Sequence, residues 1–182
     1  MSVRGGILAV LTLGPAYGQQ LHGELLDRAA HRRSINVGQI YATLDRLLTS
    51  GQVERAGETD DGLPLYALSS SGLREAEQWL AGRDELDADW TEMLDRVLIA
   101  SSLRMESAGL IDRYADVWTL TAPNVDRGSG SGRFADAAAD ELAGAALRWL
   151  DAIRPAAASG ELTRGPREDR PRRGRRPTSA TG

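Results

Sequence analysis

The chain of 182 residues contains no cysteine and no lysine, and it has only two histidines and one phenylalanine. Without cysteine there can be no disulfide, no thiolate nucleophile and no thiolate metal site, and the composition fits a reducing compartment. A short apolar run at residues 7–13 follows Arg4, but it is shorter than a signal peptide and no cleavage site follows it. We therefore expect a cytoplasmic protein without a membrane partner.

Patterns of catalytic or metal-binding residues are also missing from the sequence. His22 and His31 have no neighbours at metal-ligand spacing, and the GSGSG run lacks the Gly-Lys-Ser/Thr ending of a phosphate-binding loop. The triple serine after Leu68 does not have the context of a nucleophile elbow. We expect that the protein is not an enzyme and binds no cofactor.

The net charge of −4 is distributed unevenly along the chain. Residues 1–83 hold eight Arg and nine acidic residues, residues 84–160 hold seven and fourteen, and residues 161–182 hold seven and three. Nucleic-acid-binding domains are usually more basic than residues 1–83. The overall charge therefore argues mildly against DNA binding, and the placement of individual arginines has to support it.

Apolar residues at helical spacing predict three helices at the start of the chain. The first covers residues 7–11 and ends at a Gly-Pro pair, and the second runs from Tyr17 to Arg28. The third, residues 37–48, has the most regular apolar stripe and ends at Gly51. The face of the third predicted helix opposite its apolar stripe is polar.

The pattern then changes to a period of two. Residues 53–55 and 63–68 flank the turn GETDDG and predict a two-stranded hairpin. Ser69 can cap a further helix over residues 73–80. Three helices, a hairpin and another helix are the element order of a winged helix-turn-helix domain, which we assign to residues 1–83.

Residues 84–155 are predicted to form a helical dimerisation region. Apolar stripes cover residues 86–98, 110–118 and 134–153, and the last stripe ends before Pro155. The GSGSG run near residues 128–133 predicts a flexible connection. Residues 156–182 are rich in Arg and Pro without periodicity, so we expect a disordered tail. The predicted fold class is mainly α with a small β-hairpin.

Three separated segments between residues 5 and 80 resemble the PadR family of bacterial winged-helix regulators. LTLGPAYGQQL resembles the family's entry into the second helix, and LYALSSSG resembles its second wing strand. In the third segment, the recognition-helix pattern of the family is matched by Gly38, Ile40, Tyr41, Leu44, Arg46, Leu47 and Gly51. Outside residues 5–80, the segment ELAGAALRWLDAIRP looks like the closing dimerisation helix of longer members.

The resemblance implies a transcriptional regulator that binds near-palindromic double-stranded DNA as a homodimer. Such proteins are usually repressors that a small effector or a stress signal releases from the operator. Two features depart from the pattern. The wing tip carries Glu58, Asp60 and Asp61, whose charges are repelled by phosphates, which puts wing contacts in doubt. The GSGSG run and the tail lie outside the family pattern.

The third helix carries the candidate base-reading side chains. The N-terminal residues of a recognition helix approach base edges in the major groove, which points to Asn36, Gln39 and Thr43. Gln39 can bind adenine through both atoms of its amide. Asn36 is either a base-reading residue or the helix cap.

Other residues near this helix are candidates for phosphate contacts. Gly38 would let the helix N-terminus approach the DNA backbone closely. Tyr41 is either a buried core residue or a hydroxyl donor to a phosphate. Arg32, Arg33 and Arg46 are either phosphate contacts or solvated surface residues.

The C-terminal helices carry the candidate dimerisation residues. Trp90 and Trp118 either fill a core or a dimer seam, or one of them lines a cleft between subunits for a small hydrophobic effector. The residues that we expect in the dimer seam are Trp90, Leu94, Val97, Leu142, Trp149 and Ile153.

Two questions remain open from the sequence. The Arg-rich tail is either a solvated end or an arm that adds phosphate attraction. The alternative to DNA binding is a winged-helix module that binds protein, which the near-neutral domain and the acidic wing would favour.

Overall fold

The computed structural model describes residues 3–29, 35–103, 107–121 and 131–167. In this part of the chain there are seven helices and one two-stranded antiparallel sheet, which confirms the predicted fold class. In chain order the elements are α1 (Val3–Leu11), α2 (Gly18–Arg28), α3 (Val37–Thr49), β1 (Val53–Glu58), β2 (Pro64–Leu68), α4 (Ser70–Leu80), α5 (Trp90–Ser102), α6 (Ala108–Thr121) and α7 (Gly132–Ser159).

Helices α1 to α4 and the hairpin enclose one apolar core. α1 contacts α2, α3 and α4, and its residues from Gly5 to Leu11 are all buried. Each buried Leu or Ile side chain contributes on the order of 1.5–3 kcal/mol through removal of apolar surface from water. The fully buried members from the first three helices are Ile7, Leu8, Leu21, Leu25, Ile40, Leu44 and Leu47.

The hairpin is extended by a segment that the sequence did not predict to be strand-like. β1 and β2 pair antiparallel with Arg55 opposite Tyr66, and an irregularity follows before Glu58. Ala16, just before α2, exchanges both backbone hydrogen bonds with Tyr66, at 3.0 and 2.9 Å. The wing is therefore attached to the entrance of α2 as well as to its own turn.

Serine side chains fix the start of α4 against the wing. The side chain of Ser69 accepts a hydrogen bond from the backbone N–H of Gly72, which confirms the predicted cap. The hydroxyls of Ser69 and Ser71 both donate to the backbone oxygen of Gly51, at 2.7 and 2.9 Å. Gly51 has a φ of +73°, a conformation that favours glycine, and it ends α3 as predicted.

The C-terminal helices are joined to this core through α5. α5 begins at Trp90, later than its predicted start, with Asp89 as the cap, and it packs against α1 and α2. α6 and α7 pack against each other, and Ala143, Ala146 and Leu150 of α7 are buried. The division of the chain at residues 83 and 155 stays a prediction.

The last helix is longer than predicted. α7 continues through Pro155 to Ser159, so the predicted end before Pro155 and the disorder expected for residues 156–159 are wrong. Three alanines after Pro155 favour helix, and Gly160 with a φ of +73° provides the left-handed cap. Residues 160–167 are described as well, whereas the rest of the predicted tail, residues 168–182, lies outside the described residues.

Membrane-spanning helices, metal sites and the predicted flexible connection can be compared with the described part of the chain. Residues 128–130 of the predicted GSGSG connection lie outside the described residues. α7 begins at Gly132, so the last residues of the predicted connection are helical. In the described segments, no helix has the length and apolarity needed to cross a membrane. No group of three or more His, Asp or Glu in these segments is placed to hold a metal ion.

Candidate DNA interface

The N-terminus of α3 is capped by Asn36. The side-chain oxygen of Asn36 accepts a hydrogen bond of 2.8 Å from the backbone N–H of Gln39. This arrangement favours the cap over the base-reading role, because the oxygen is already engaged. A cap of this kind stabilises a helix by roughly 0.5–2 kcal/mol relative to alanine.

One face of α3 is open to solvent. Gly38, Gln39, Ala42 and Arg46 are exposed, while Ile40, Leu44 and Leu47 are buried in the domain core. A Cβ added at Gly38 would contact only the side-chain oxygen of Asn36, at 3.3 Å. The first turn of α3 therefore presents little bulk, which suits close approach to a surface.

Thr43 does not belong to this open face. Its side chain is buried, and its hydroxyl donates to the backbone oxygen of Gln39 at 2.8 Å. Arg46 lies over it and donates from Nη2 to the Thr43 hydroxyl at 3.1 Å. The placement of Thr43 on the exposed face was wrong, because its side chain is buried and its hydroxyl is hydrogen-bonded within α3.

Arg46 lies back along its own helix. Its Nε donates to the backbone oxygen of Ala42 at 3.2 Å, and the side chain remains exposed. The guanidinium has further donors that can turn toward an anion. The other two predicted phosphate contacts, Arg32 and Arg33, lie outside the described residues.

Tyr41 of α3 is partly exposed, and its ring lies against α2. It is 40% exposed, so it is not the buried core tyrosine that the apolar stripe allowed. A Cβ on Gly18 would lie 2.6 Å from Cε1 of Tyr41, which means that the ring rests directly on the first residue of α2. The glycine after Tyr17 is therefore required for the ring to occupy this position.

This contact identifies a residue that the sequence reasoning missed. Gln19 is exposed in the first turn of α2, next to the glycine on which Tyr41 rests. The first helix of a helix-turn-helix crosses the DNA backbone, so an exposed amide there can reach a phosphate. The Gly-Gln-Gln sequence at the helix start was the available signal.

The wing is exposed and acidic. Every residue of β1 after Val53 is exposed, including Glu54 and Glu58. Arg55 lies over the ring of Tyr66, with its guanidinium carbon 5.7 Å from the ring centre. The guanidinium of Arg55 therefore lies against the domain, whereas Glu54 and Glu58 are exposed to solvent.

The predicted dimerisation residues have different environments. Trp90 and Trp149 contact each other edge to face, with ring centres 6.4 Å apart, and Leu94 and Ile153 are partly buried. Val97 is completely buried within its own chain, so its assignment to a dimer seam was wrong. Exposed apolar side chains remain on the last two helices: Leu142 at 43%, Phe134 at 64% and Leu120 at 86%.

Trp118 fills the core instead of lining an effector cleft. Trp118 is buried, and its Nε1 donates to the sulfur of Met93 at 3.0 Å. The side chain is enclosed by α5 and α6 and fills the core. The ring of Trp90 contacts the ring of Trp149. Neither tryptophan belongs to the lining of the cleft that is described next.

A cleft of about 770 Å³ lies instead where α1 and α4 meet α5 and α6. Arg96 lies against the ring of Trp79 at 4.8 Å from its centre and pairs with Asp84. Burial raises the pKa of the Tyr114 phenol, and the neighbouring Arg96 guanidinium opposes this shift in part, so the phenol stays neutral. Six carboxylates and three arginines line the cleft, which gives it an acidic character.

Two of the solved structures that are similar to this chain cover most of it. No protein-family model and no curated protein matches it. The crystal structure of Bacillus subtilis PadR in complex with operator DNA is 20% identical, with 86% of this chain and 99% of that chain covered and a TM-score of 0.41. The crystal structure of the same protein in complex with p-coumaric acid is also 20% identical, with 86% and 98% covered and a TM-score of 0.40.

Proposed function

We propose that the protein is a transcriptional regulator that binds double-stranded DNA through α3. The observation that carries this proposal is the open face of α3, where exposed Gln39 and Arg46 stand above a fully buried apolar stripe. A capped helix with a small first turn fits the major groove, which admits an α-helix. Tyr41 and Gln19 flank this face from the side of α2 and would contact phosphates.

Binding to duplex DNA should depend steeply on salt. Three phosphate contacts per subunit, from Arg32, Arg33 and Arg46, give six in a homodimer, and a slope of log K against log salt of about −5. The measurement is fluorescence anisotropy with the DNA upstream of the chain's own gene and with duplexes selected from a random library. A protein that binds no duplex at low salt would instead be a protein-binding module, which the exposed carboxylates of the wing favour.

Gln39 and Arg33 should affect binding in different ways. We expect Gln39→Ala to relax the preference at one base pair in each half-site by about 1–3 kcal/mol, because the side chain can no longer bind the base through both amide atoms. Arg33→Ala should weaken specific and random DNA alike. Competition assays with single-base operator variants measure both effects. Gln78→Ala, which changes an exposed glutamine on α4, is the matched control and should leave base preference unchanged.

We propose further that the protein acts as a homodimer on near-palindromic DNA. The exposed apolar side chains of α6 and α7 support this, since Leu120, Phe134 and Leu142 would be covered by a second copy. Trp90, Leu94, Trp149 and Ile153 lie where the same interface can extend to α5.

A charge on this surface should separate the subunits. We expect Leu142→Asp to shift the protein from dimer toward monomer in sedimentation velocity at micromolar concentration, because the carboxylate would be desolvated in the seam. Leu73→Asp is the matched control, since Leu73 on α4 has the same exposure of 43%. Dissociation by both variants, or by neither, would contradict a seam on α7.

Repression with release by a small effector completes the proposal. The cleft beside Trp79 supports an effector site, because it combines an aromatic face with polar groups and lies between the winged domain and the C-terminal helices. Its acidic rim favours a hydrophobic ligand that carries a positive group. Adding such compounds to the DNA complex should raise its Kd and change Trp79 fluorescence.

A further inference from the structure

The chain returns to α2 after the last helix. The backbone N–H of Arg164 donates to the oxygen of Ser102 at 3.0 Å, at the end of α5. The side chain of Arg167 donates to the carboxylate of Asp27 at 2.7 Å. The side chain of Arg164 also donates to the backbone oxygen of Asp27. Residues 160–167, which we call the clasp, therefore connect the end of α7 to α2 and α5.

A buried arginine of α2 holds the clasp in place. Arg28 pairs through Nε with one carboxylate oxygen of Glu24 at 2.9 Å, and both side chains are almost completely buried. Its Nη1 donates to Ser102, and its Nη2 donates to the backbone oxygen of Gly165 at 2.7 Å. The other carboxylate oxygen of Glu24 accepts from the backbone N–H of Arg167. One buried ion pair thus joins α2, the end of α5 and the clasp.

The clasp gives α7 a second connection to the winged domain. α7 packs against α6, α6 packs against α5, and α5 packs against α1 and α2. The clasp continues directly from α7 to α2 and so closes these contacts into a ring. A rotation of the winged domain about α5 has to break the clasp, because the buried donors of Arg28 would lose their acceptors. The ring therefore fixes the angle between the winged domain and α7.

Polar contacts at the surface hold most of the clasp. Apart from Leu162, which is partly buried, its residues are exposed. The ion pair between Arg167 and Asp27 is also exposed, with 39% and 43% of the two side chains open to solvent, so it contributes little to stability. Pro166 restricts its own backbone and that of the residue before it, which reduces the entropy lost when the clasp is ordered. Substitutions at its surface can therefore open the clasp without disturbing the domain core.

We propose that the clasp restricts the homodimer to one spacing of DNA half-sites. This inference rests on the proposed function and makes Arg28 and Arg167 positioning residues that act through the angle of the winged domain. In a dimer held by α7, that angle sets the distance between the two α3 helices. Each base pair inserted between half-sites moves the second one by about 3.4 Å and turns it by about 35° around the duplex axis. Two winged domains at a fixed angle cannot follow this movement.

Arg167→Pro tests the clasp without changing α2 or α3. Proline removes the backbone N–H that donates to Glu24 and the side chain that pairs with Asp27. The parent should bind its selected half-site spacing about a hundredfold more tightly than a spacing with two base pairs inserted, because the second domain no longer engages. The variant should reduce this preference to about tenfold or less, and its affinity for a single half-site should stay within about twofold of the parent's.

Arg167→Lys is the matched control, because lysine keeps the backbone donor and a positive charge. Its spacing preference should equal that of the parent. Hydrogen exchange followed by mass spectrometry reports the clasp itself: residues 160–167 should exchange slowly in the parent and in Arg167→Lys, and fast in Arg167→Pro, while α1 to α4 stay equally protected in all three. Fast exchange of these residues in the parent would show that no clasp is closed and would overturn the proposal.

A chain that ends at Gly160 has no clasp at all, and a chain that ends at residue 169 keeps it. At a temperature where circular dichroism shows both to be folded, the shorter chain should lose the spacing preference and the longer one should retain it. An unchanged preference in the chain without the clasp would overturn the proposal, while DNA binding by α3 would still stand. Failure of the full chain to bind any duplex would instead reject the proposed function itself.

Discussion

Replacing Arg28 by alanine should lower the free energy of unfolding by about 3–5 kcal/mol. The substitution leaves the carboxylate of Glu24 buried without its partner, and it removes the donors to Ser102 and Gly165. Removing one member of a buried ion pair costs far more than the pair contributes, because the remaining charge has no solvent. Urea denaturation followed by circular dichroism measures the loss.

Arg154→Ala is the matched control for this prediction. Arg154 also pairs with a carboxylate, that of Asp112, but both side chains are more than a third exposed. A solvent-exposed pair of this kind contributes only about 0–1 kcal/mol. Similar losses in the free energy of unfolding for the two variants would contradict the role of Arg28 as one partner of a buried ion pair. A chain that ends at Gly160 should also lose stability, since it lacks the backbone oxygens of Arg164 and Gly165 that accept hydrogen bonds from Arg28.

Replacing Gly72 by alanine should lower the free energy of unfolding by about 2–3 kcal/mol, at the upper end of what overpacking usually costs. A Cβ at Gly72 would lie 1.9 Å from the backbone oxygen of Gln52, which cannot move aside as the end of a side chain can. The same oxygen accepts a hydrogen bond of 3.0 Å from the backbone N–H of Ser69. The clash would therefore separate α4 from the residue that leads into the wing.

Gly109→Ala gives the opposite expectation. Gly109 lies in α6, and a Cβ there would meet nothing within 4 Å. Alanine is favoured over glycine in a helix by roughly 0.5–1 kcal/mol, so this variant should be slightly more stable than the parent. Thermal unfolding of both variants gives the comparison. If Gly72→Ala were neutral, the close approach of α4 to Gln52 would be wrong.

The environments of the site residues show why part of the interface was predictable. Asn36 caps the helix that begins at the next residue, and Gln39 stays exposed opposite Ile40. Both follow from positions within one or two turns of the same helix. Thr43 was misplaced because its spacing alone puts it at the edge of the polar face, and its burial depends on Arg46 closing over it.

The order and type of the elements from α1 to α4, with the hairpin, follow from local patterns in the sequence, because apolar periods of 3.6 and 2 and the caps at Asn36 and Ser69 act over a few residues. The burial of Val97 and Trp118, the pairing of Ala16 with Tyr66, and the attachment of residues 160–167 to α2 depend on contacts between segments that are far apart in the chain. Arg28 reaches acceptors 74 and 137 residues further along the chain, and no local pattern encodes a partner at that distance.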